Sequence, residues 1–520
     1  MTGSPPPALR PQDPTPRSLE ELARAFGLEV RGELAQARTT GVVLSSKAVQ
    51  PGDLYVGVPG VRAHGADFAA EAAQGGAVAI LTDAAGADRA ASAAPALPVL
   101  VVDDARAALG GIAAWIHGTA ENPATLYAVT GTNGKTSVVY LLYGILRQLG
   151  IVAGLTSTAE RRIGDEVVTS SLTTPEASEL HALLARMREV GVEAVGVEVS
   201  AQAVSRHRVD GLVFDVTGFT NLTHDHLDDY ASMEEYFEAK RALFDPARTR
   251  RAVITVDSDW GVRLAAETAA AGIPVTTLTT LDDVDADWRI RVLDQAATAT
   301  RFRLDGPGGR TLETSVPLIG WYMAANAALA IAMLVDGGVD FDRIAGVLER
   351  DGGISAYIPG RAERISGERG PLVFVDYGHS PDAFLQTLAA IRPLVPGRLI
   401  MLFGADGDRD TTKRADMGAI AARGADVVVI TDFHPRTEDP AAIRAALIAG
   451  ARSAVPDREI HEVADPATAF RTALSLAGPG DAILYAGPGH EDYHEVNGVK
   501  IPYSARDDAR QALREAGWPA

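Results

Sequence analysis

Cysteine is absent from the 520-residue chain, and its absence excludes several kinds of chemistry. A chain without thiols forms no disulfide bond, offers no thiolate ligand to a metal and has no thiol nucleophile. Such a composition suits a reducing compartment, so we expect the protein to be cytoplasmic.

Basic residues are outnumbered by acidic ones, 48 against 68, and the formal charge is −20. Binding to nucleic acid or anionic lipid without regard to sequence needs a basic face, so we expect neither partner. A locally positive site could still bind a small anion.

Long apolar runs are also lacking, because none approaches the ~20 residues of a membrane span. The protein is therefore predicted not to be membrane-embedded.

Hydrophobic residues nevertheless make up 47% of the chain, as in ordinary globular proteins. A chain of 520 residues is too long for one hydrophobic core, so several domains are expected. The N-terminal stretch MTGSPPPALRPQDPTP is rich in proline and has no apolar signal core. We therefore expect residues 1–17 to form a disordered leader.

The order of strand and helix signals predicts three α/β domains. Residues 18–105 alternate short strands, such as DLYVGV and VAILTD, with helical stretches. Residues 106–354 contain the strand TLYAVT, a glycine loop and an apolar helix. Residues 355–520 repeat a βα pattern, which predicts a Rossmann-like, doubly wound and mostly parallel sheet. Polar loops follow its strands and should line one crevice: DYGHS, GADGDRD, TDFHPRTED and GPGHED.

The stretch VTGTNGKTS, residues 129–137, predicts a phosphate-binding loop of variant spacing, because the common spacing has glycine where this stretch begins with valine. Gly131 and Gly134 can adopt backbone angles that turn N–H groups inward, and the next helix directs its positive end to the same point. Lys135 would contact the outer phosphates of a nucleotide, and Thr136 could hold magnesium.

Acidic and imidazole side chains downstream favour a metal site beside that loop. Glu198 closes an apolar strand, so its carboxylate should emerge at the edge of the sheet. Asp225, His226 and Asp228 follow another strand signal and offer oxygen and imidazole ligands. Magnesium prefers oxygen and keeps several waters, so one or two protein ligands beside phosphates suffice. A solvated acidic loop is the alternative interpretation of this stretch.

For four further residues, the sequence pattern alone is weak evidence of a function. Lys240 lies in the helical stretch YFEAKRALFD, where the pattern predicts a surface lysine. Asn326 starts an apolar helix, where it could contact a base or cap the helix. Arg361 follows the start of the last domain, and Asp376 ends a strand, where it could bind a ribose hydroxyl. Each of these residue types is more often structural than functional.

Taken together, the stretches VTGTNGKTS, EVS, TNLTHDHLD, EAK, PGRAERI and VDYGHSPDA resemble the Mur ligase family and occur in its order over nearly the whole chain. The resemblance implies an ADP-forming, ATP-dependent enzyme that makes amide bonds in peptidoglycan precursor synthesis. It also implies a small uridine-nucleotide domain, a central P-loop ATPase-like domain and a C-terminal amino-acid-binding domain. We expect ATP and magnesium as cofactors, small-molecule substrates and a monomer.

Other stretches resemble the family member that adds the third peptide residue, a diamino acid, to UDP-N-acetylmuramoyl-L-alanyl-D-glutamate. They are SSKAVQPGDLYVGVPG, TTPE, TDFHPRTEDP and GPGHEDY. The implied mechanism phosphorylates the substrate carboxylate with ATP, and an amine then displaces phosphate from the acyl phosphate.

The resemblance also implies roles for individual residues. The implied catalytic residues are Lys135, Lys240 and His226. The implied ATP contacts are Gly131, Thr132, Asn133, Gly134, Lys135, Thr136, Ser137, Asn326, Arg361 and Asp376. The implied metal ligands are Thr136, Glu198, His226 and a carbamylated Lys240. The implied contacts to UDP-muramoyl-dipeptide are Ser46, Thr173, Thr174, Ser200 and Arg208. The implied amino-acid pocket is Arg409, Asp432, His434, Arg436, Gly487 and Glu491.

Departures from the family pattern concern the amino acid above all. The diaminopimelate signature Asp-Asn-Pro-Arg is replaced by Asp-Phe-His-Pro-Arg at 432–436. Arg436 could still pair with a carboxylate, but the inserted aromatic and missing asparagine favour L-lysine, L-ornithine or L-diaminobutyrate over meso-diaminopimelate. Ser45 and Lys47 replace an aspartate and an arginine of the uridine pattern, and Met323 replaces the first asparagine before the ATP-binding helix.

Two alternatives stay open at this point. The chain could be another amide ligase of the same family, which the uridine-type N-terminal stretch and GHEDY argue against. It could also be a non-catalytic nucleotide-binding subunit. The joint presence of Lys135, Glu198, His226 and Lys240 argues against that interpretation.

Overall fold

The structure is a computed structural model and describes residues 9–34, 36–60, 62–170, 172–225 and 227–520. The predicted leader, 1–17, lies partly outside these residues. Within them, Arg10 Nη1 donates to both carboxylate oxygens of buried Asp53 at 2.8 Å. The backbone N–H groups of Gln12 and Asp13 also donate to Glu189.

The N-terminal part forms a sheet in the order β2-β7-β6-β5-β4, in which β2 is antiparallel and the other pairs are parallel. A two-stranded ladder of β1 and β3 lies beside it. The elements are β1 (Arg17–Ser18), α1 (Leu19–Phe26), β2 (Glu29–Arg31), β3 (Arg38–Thr39), β4 (Gly41–Val43), β5 (Asp53–Gly57), α2 (Ala69–Gln74), β6 (Ala79–Thr82), α3 (Ala84–Ala93), β7 (Val99–Val101) and α4 (Ala105–His117).

The central part forms a long sheet in the order β11-β10-β9-β12-β8-β13-β14-β15-β16-β17-β18. Strands β9 to β16 in this order are parallel, and antiparallel hairpins extend both ends. The elements are β8 (Thr125–Thr130), α5 (Lys135–Gln148), β9 (Ala153–Thr156), β10 (Glu160–Ile163), β11 (Glu166–Thr169), α6 (Ala177–Glu189), β12 (Ala194–Glu198), α7 (Ala201–Ser205), β13 (Val216–Phe219), α8 (Met233–Arg241), β14 (Ala252–Thr255), α9 (Asp259–Ala270), β15 (Val275–Thr279), β16 (Trp288–Ala296), β17 (Ala299–Gly306), β18 (Arg310–Val316), α10 (Trp321–Asp336) and α11 (Phe341–Asp351).

The C-terminal part forms a sheet in the order β19-β20-β24-β21-β22-β23, parallel except for β19. This is the doubly wound pattern that the sequence predicts. The elements are β19 (Glu363–Arg364), β20 (Leu372–Asp376), α12 (Pro381–Ile391), β21 (Leu399–Phe403), α13 (Arg414–Gly424), β22 (Val427–Ile430), α14 (Pro440–Ala454), β23 (Glu459–Glu462), α15 (Pro466–Leu476), β24 (Ala482–Ala486), β25 (Tyr493–Val496), β26 (Val499–Pro502) and α16 (Ala505–Glu515).

Both faces of the central sheet are covered at its middle strands β12, β8, β13 and β14, which explains why these strands are apolar almost throughout. Successive side chains of a strand point to opposite faces. In β8, Tyr127 and Val129 pack with α5 and α10, whereas Leu126 and Ala128 pack with α6 and its neighbours. Parallel sheets are buried in this way because their crossover helices cover them. In the described part of the chain, no helix has the length and hydropathy needed to cross a membrane.

Two buried histidines lie where α4 packs against α6. Thr119 Oγ1 lies 2.6 Å from Nδ1 of His181, whose Nε2 lies 3.0 Å from the carbonyl oxygen of Asp210. His117 is also buried, and its Nε2 has no partner among the described residues. Burial lowers the pKa of His181 to about 4 and that of His117 to about 3. The folded protein therefore keeps both imidazoles neutral.

The burial of these two histidines predicts that the folded protein loses stability in acid. Both pKa values lie below the ordinary value of 6.5, so the stabilisation is complete above pH 6.5 and is lost as the pH falls toward 4. Each histidine contributes a slope of up to about 1.4 kcal/mol per pH unit in that window. We expect His181→Gln to flatten the fall of the melting temperature between pH 6.5 and 4. The same substitution at His461, which is not buried, should leave it unchanged, and equal slopes in all three proteins would contradict the assignment.

Candidate active site

The glycine loop connects β8 to α5 as the sequence predicts. Gly131 has φ 147° and Gly134 has φ 88°, a region that favours glycine. A Cβ on Gly131 would also lie 1.9 Å from Thr220 Oγ1. Lys135 Nζ donates to the carbonyl oxygens of Gly131 and Thr132, at 3.1 and 2.8 Å. The loop, the helix start and the ammonium thus converge, which is the arrangement that binds phosphate.

Glu198 reaches this loop because β12 pairs in parallel with β8, and Glu198 lies opposite Val129. Thr136 Oγ1 lies 3.0 Å from Glu198 Oε2. Thr158 donates to the same carboxylate through its N–H at 2.9 Å and its hydroxyl at 3.2 Å. Arg361 Nη2 donates to Thr136 Oγ1 at 2.8 Å, so a residue of the C-terminal part reaches the loop.

Lys240 is not the surface lysine that its helix pattern suggests, because α8 buries it to 1% exposure. Its Nζ donates to the Gly131 carbonyl at 2.8 Å and lies 4.3 Å from the centre of the Tyr236 ring. Burial, and then repulsion by Lys135, lower the pKa of Lys240 well below its ordinary value, although Asp225 opposes the change. Burial beside Lys135 therefore disfavours the charged form of this amine.

A cavity of about 580 Å³ connects this loop to the C-terminal part of the chain. That volume is typical of small-molecule sites. The predicted site residues that line it are Thr132, Asn133, Gly134, Lys135, Thr136, Ser137, Thr173, Glu198, Ser200, Arg208, Asn326, Arg361, Asp376, Arg409, His434, Arg436, Gly487 and Glu491. The structure thus brings most of the predicted residues to one place.

Other predicted residues lie outside the cavity wall. Thr174 is buried and donates to the Glu198 carbonyl at 2.8 Å, which supports the strand end that carries Glu198. Asp432 faces away and pairs with Arg444. Ser46 hydrogen-bonds Glu71 in the N-terminal part. His226 lies outside the described residues.

The nucleotide-contact residues surround the phosphate loop. Asn326, on α10, lies against Gly134, where an added Cβ would be 2.6 Å from Asn326 Oδ1. Asp376, at the end of β20, accepts the Ala362 N–H at 2.8 Å and so holds the connection between the central and C-terminal parts. Trp321, at the start of α10, also lines the cavity, and no sequence pattern had indicated it.

On the N-terminal side of the cavity, Arg208 and Thr173 are fixed by hydrogen bonds. Arg208 Nη2 lies 3.0 Å from Glu176, and the hydroxyl oxygens of Thr158 and Thr173 lie 3.0 Å apart. Ser200 accepts the Ala203 N–H at 3.1 Å and caps α7. The cap orients the hydroxyl, so Ser200 has a structural function besides the predicted contact.

At the far end of the cavity, the positive charge of Arg436 is already balanced. Its Nη2 lies 3.1 Å from Asp406 and its Nε 3.3 Å from Glu495. Nearby, His434 Nε2 lies 2.7 Å from Glu491, while His434 Nδ1 accepts the Glu495 N–H at 2.9 Å. Since Nδ1 accepts, a neutral His434 carries its proton on Nε2 and donates it to Glu491.

Glu491 therefore stays ionised. Burial alone would raise the pKa of Glu491, but the hydrogen bond and charge of His434 reverse this, and the pKa is lowered. Arg409 is half exposed and lies 3.7 Å from Asp228. Carboxylates thus dominate this end of the cavity, and neither Asp406 nor Glu495 was among the predicted site residues. For Asp406, its loop GADGDRD was the available signal.

No group of three or more His, Asp or Glu side chains within the described ranges could hold a metal ion. The pair of Glu198 and Thr136 nevertheless offers oxygen donors next to a phosphate loop, 3.0 Å apart. Magnesium is bound in this manner when phosphates and waters complete its coordination. The residues present therefore fit a magnesium–nucleotide complex.

Comparisons with known proteins agree with this architecture. Three family descriptions match the chain: the Mur ligase family catalytic domain over residues 38–116, the Mur ligase middle domain over 129–334, and the Mur ligase glutamate ligase domain over 360–489. A UDP-N-acetylmuramyl-tripeptide synthetase of Leifsonia xyli subsp. xyli is 68% identical over 518 residues, 100% of both chains.

A UDP-N-acetylmuramoyl-L-alanyl-D-glutamate–2,6-diaminopimelate ligase of Streptomyces coelicolor is 45% identical over 96% of both chains. A solved structure of a ligase of that name has a TM-score of 0.65 at 26% identity and covers 97% of this chain and 100% of its own. The chain belongs to the Mur ligase family. It is an ATP-dependent ligase, and the predicted family and fold class are confirmed.

Proposed function

We propose that this ligase joins an L-diamino acid to the D-glutamate carboxyl of UDP-N-acetylmuramoyl-L-alanyl-D-glutamate, with conversion of ATP to ADP and phosphate. One observation carries the proposal: a single cavity connects the phosphate loop to a carboxylate-lined pocket of the C-terminal part. The names of the Leifsonia and Streptomyces relatives support the muramoyl-peptide substrate, whereas the amino acid in the Streptomyces name is 2,6-diaminopimelate.

In the first step, an oxygen of the substrate carboxylate attacks the γ-phosphorus of ATP. The bond from that phosphorus to the bridging oxygen breaks, ADP leaves, and an acyl phosphate forms. Lys135 Nζ now donates to the carbonyls of its own loop, and it would donate to the γ-phosphoryl oxygens as charge develops. The protein contributes mainly orientation and charge neutralisation.

In the second step, the amine nitrogen attacks the acyl carbon and loses a proton. A tetrahedral species forms, and the carbon–oxygen bond to phosphate then breaks with its electron pair on phosphate. Arg208, fixed by Glu176, and Thr173 would hold the muramoyl-dipeptide. The C-terminal pocket would hold the amine.

Thr136 and Glu198 would hold a magnesium ion, and His226 is assigned to a second one on the family resemblance alone. Bound magnesium would neutralise charge on the transferred phosphoryl group.

We propose that Lys240 is carbamylated: its nitrogen bonds the carbon of carbon dioxide and loses a proton. The burial of Lys240 beside the Gly131 carbonyl supports this, because an ammonium there cannot bind a cation but a carbamate can.

We propose further that the diamino acid lacks a second carboxylate, as L-lysine, L-ornithine and L-diaminobutyrate do. A carboxylate at the far end needs a free cation, and the Arg436 guanidinium is shared between Asp406 and Glu495. Glu491, kept ionised by His434, would accept an ammonium instead. Meso-diaminopimelate would place a negative charge among these carboxylates.

The ligase reaction itself is the first test. We expect ADP release that requires both UDP-N-acetylmuramoyl-L-alanyl-D-glutamate and a diamino acid. Lys135→Ala should reduce kcat by about 10²–10³-fold, as loss of one donor to developing charge does. Lys500→Ala, which changes an exposed lysine, is the control. Normal turnover by Lys135→Ala would contradict the phosphate-loop assignment, and ATP binding without substrate-dependent ADP release would favour a non-catalytic subunit.

Carbamylation of Lys240 is tested by chemical rescue. We expect Lys240→Ala to be nearly inactive and to regain part of its activity in acetate or formate, because a small carboxylate can replace the carbamate oxygens. Chloride at equal ionic strength is the control for salt effects. Strong activity of the variant without any additive would rule out the carbamate, and absence of rescue would remove its support.

A panel of diamino acids tests the choice of amine. We expect kcat/KM for the best acid without a second carboxylate to exceed that for meso-diaminopimelate by about 10- to 100-fold, the effect of one unpaired buried polar group. Asp406→Asn should lower the ratio of these two kcat/KM values, because Arg436 loses one of the carboxylates that it pairs with. Asp492→Asn removes an exposed partner of Arg506 and should not change the ratio. Preference of the unmodified enzyme for meso-diaminopimelate would show that Arg436 binds the distal carboxylate after all.

A further inference from the structure

Lysine is rare in this protein, since only five of its 48 basic residues are lysine. They are Lys47, Lys135, Lys240, Lys413 and Lys500. Lys240 and Lys413 are buried, at 1% and 6% exposure, and both Lys135 and Lys413 line the cavity. A chain that uses arginine almost everywhere thus gathers lysine where compact ammonium groups meet the site. Of these three, Lys413 has no role in the proposed reaction.

Lys413 forms a buried ion pair that joins the C-terminal and central parts of the chain. Its Nζ lies 3.0 Å from Oδ1 of Asp225, and the side chains are 7% and 8% exposed. Asp225 follows β13 in the central part, 188 residues earlier in sequence. Asp225 lines the same cavity as Lys135. Its negative charge opposes the lowering of the pKa of Lys135 and of Lys240. The ion pair therefore ends beside the phosphate loop.

The local environment of Lys413 does not account for its position. It is the N-cap residue of α13, where a positive charge meets the positive end of the helix dipole. A buried ammonium is also costly unless it is paired. The ion pair with Asp225, on the other side of the domain boundary, compensates both effects. A lysine at this position is thus explained by the contact between the two parts of the chain and not by the helix that it begins.

The loop that Lys413 ends also carries part of the amino-acid pocket. Residues 404–413 follow β21, and Asp406 and Arg409 of this loop line the cavity. The next residue, Arg414, donates to the Asp406 carbonyl at 2.8 Å and to Glu438 at 2.8 Å. These bonds make the loop one stiff piece, so fixing Lys413 also fixes the pocket residues.

The other charged contacts between this loop and the central part, among the residues that the structure describes, are weaker. Arg409 lies 3.7 Å from Asp228 and its side chain is 52% exposed, so solvent screens the pair. His224 and Asp410 are also 3.7 Å apart, with His224 44% exposed. The Lys413–Asp225 pair is shorter and shielded from water, and it is therefore the contact that can set the register of the two parts.

We propose that Lys413 is a positioning residue: its ion pair with Asp225 docks the amino-acid pocket against the phosphate loop, so that the amine meets the acyl carbon. The inference rests on the proposed function for the identity of the reacting groups. The docking itself rests only on the ion pair and the loop.

The absence of cysteine makes the docking directly measurable. Asp165→Cys and Gln511→Cys place unique spin labels on exposed positions of the central and C-terminal parts. With ADP, UDP-muramoyl-dipeptide and diamino acid present, double electron–electron resonance should give a narrow distance distribution. Lys413→Met should broaden it, Lys413→Arg should keep it narrow, and Lys500→Met is the matched lysine control. Asp225→Asn, which removes the other partner, should broaden it as well.

The same variants are assayed for turnover. We expect Lys413→Met to reduce kcat by about 100-fold, the loss that a misplacement of about 1 Å can cause. The KM of the diamino acid should rise and ATP affinity should stay unchanged, a split that general destabilisation would not produce. A narrow distribution in both Lys413→Met and Asp225→Asn, or unchanged kcat in Lys413→Met, would overturn the inference. If the unmodified enzyme shows no substrate-dependent ADP release, the proposed function fails, whereas the distance measurements still decide the docking.

Discussion

The active site depends on one constraint, the meeting of the carboxyl ends of two parallel sheets. In the central sheet, β8, β12 and β14 end at the phosphate loop, at Glu198 and near Asp257. In the C-terminal sheet, β20, β21 and β24 end at Asp376, at the loop of Asp406 and at Gly487. Ligands of such sheets bind at this edge, and here the two edges face the same cavity. A reaction that needs a nucleotide and an amine in one place follows from that arrangement.

Positive charge at this meeting point is costly, and the structure shows how it is held. Lys135 and Lys240 both donate to the carbonyl oxygen of Gly131, while Arg361 donates to Thr136 and lies over the ring of Tyr377. Backbone dipoles, a hydroxyl oxygen and an aromatic ring thus stabilise these positive charges, as anions do elsewhere. Two carboxylates, Glu198 and Asp225, complete the balance.

Local sequence signals predicted much of this and failed where distant segments pack together. Loop and strand ends such as Gly131, Glu198 and Asp376 could be placed because glycine spacing and apolar runs are local patterns. The burial of Lys240 could not be read from its helix, since it depends on the loop after β8. Strands β16 to β18 were missed because charged residues interrupt their apolar positions, although the glycine-rich turn GPGG at 306–309 joins β17 to β18.

The hydrogen bond between Arg361 and Thr136 has a thermodynamic consequence. Thr136 Oγ1 is the atom that a phosphate-loop threonine offers to a metal cation, so a bound cation would crowd the guanidinium at that oxygen. Because Arg361 belongs to the connection held by Asp376, such crowding would link metal–nucleotide affinity to the angle between two sheets. Linkage is reciprocal, so an amino acid that holds the last domain in a given orientation must alter nucleotide affinity by the same factor.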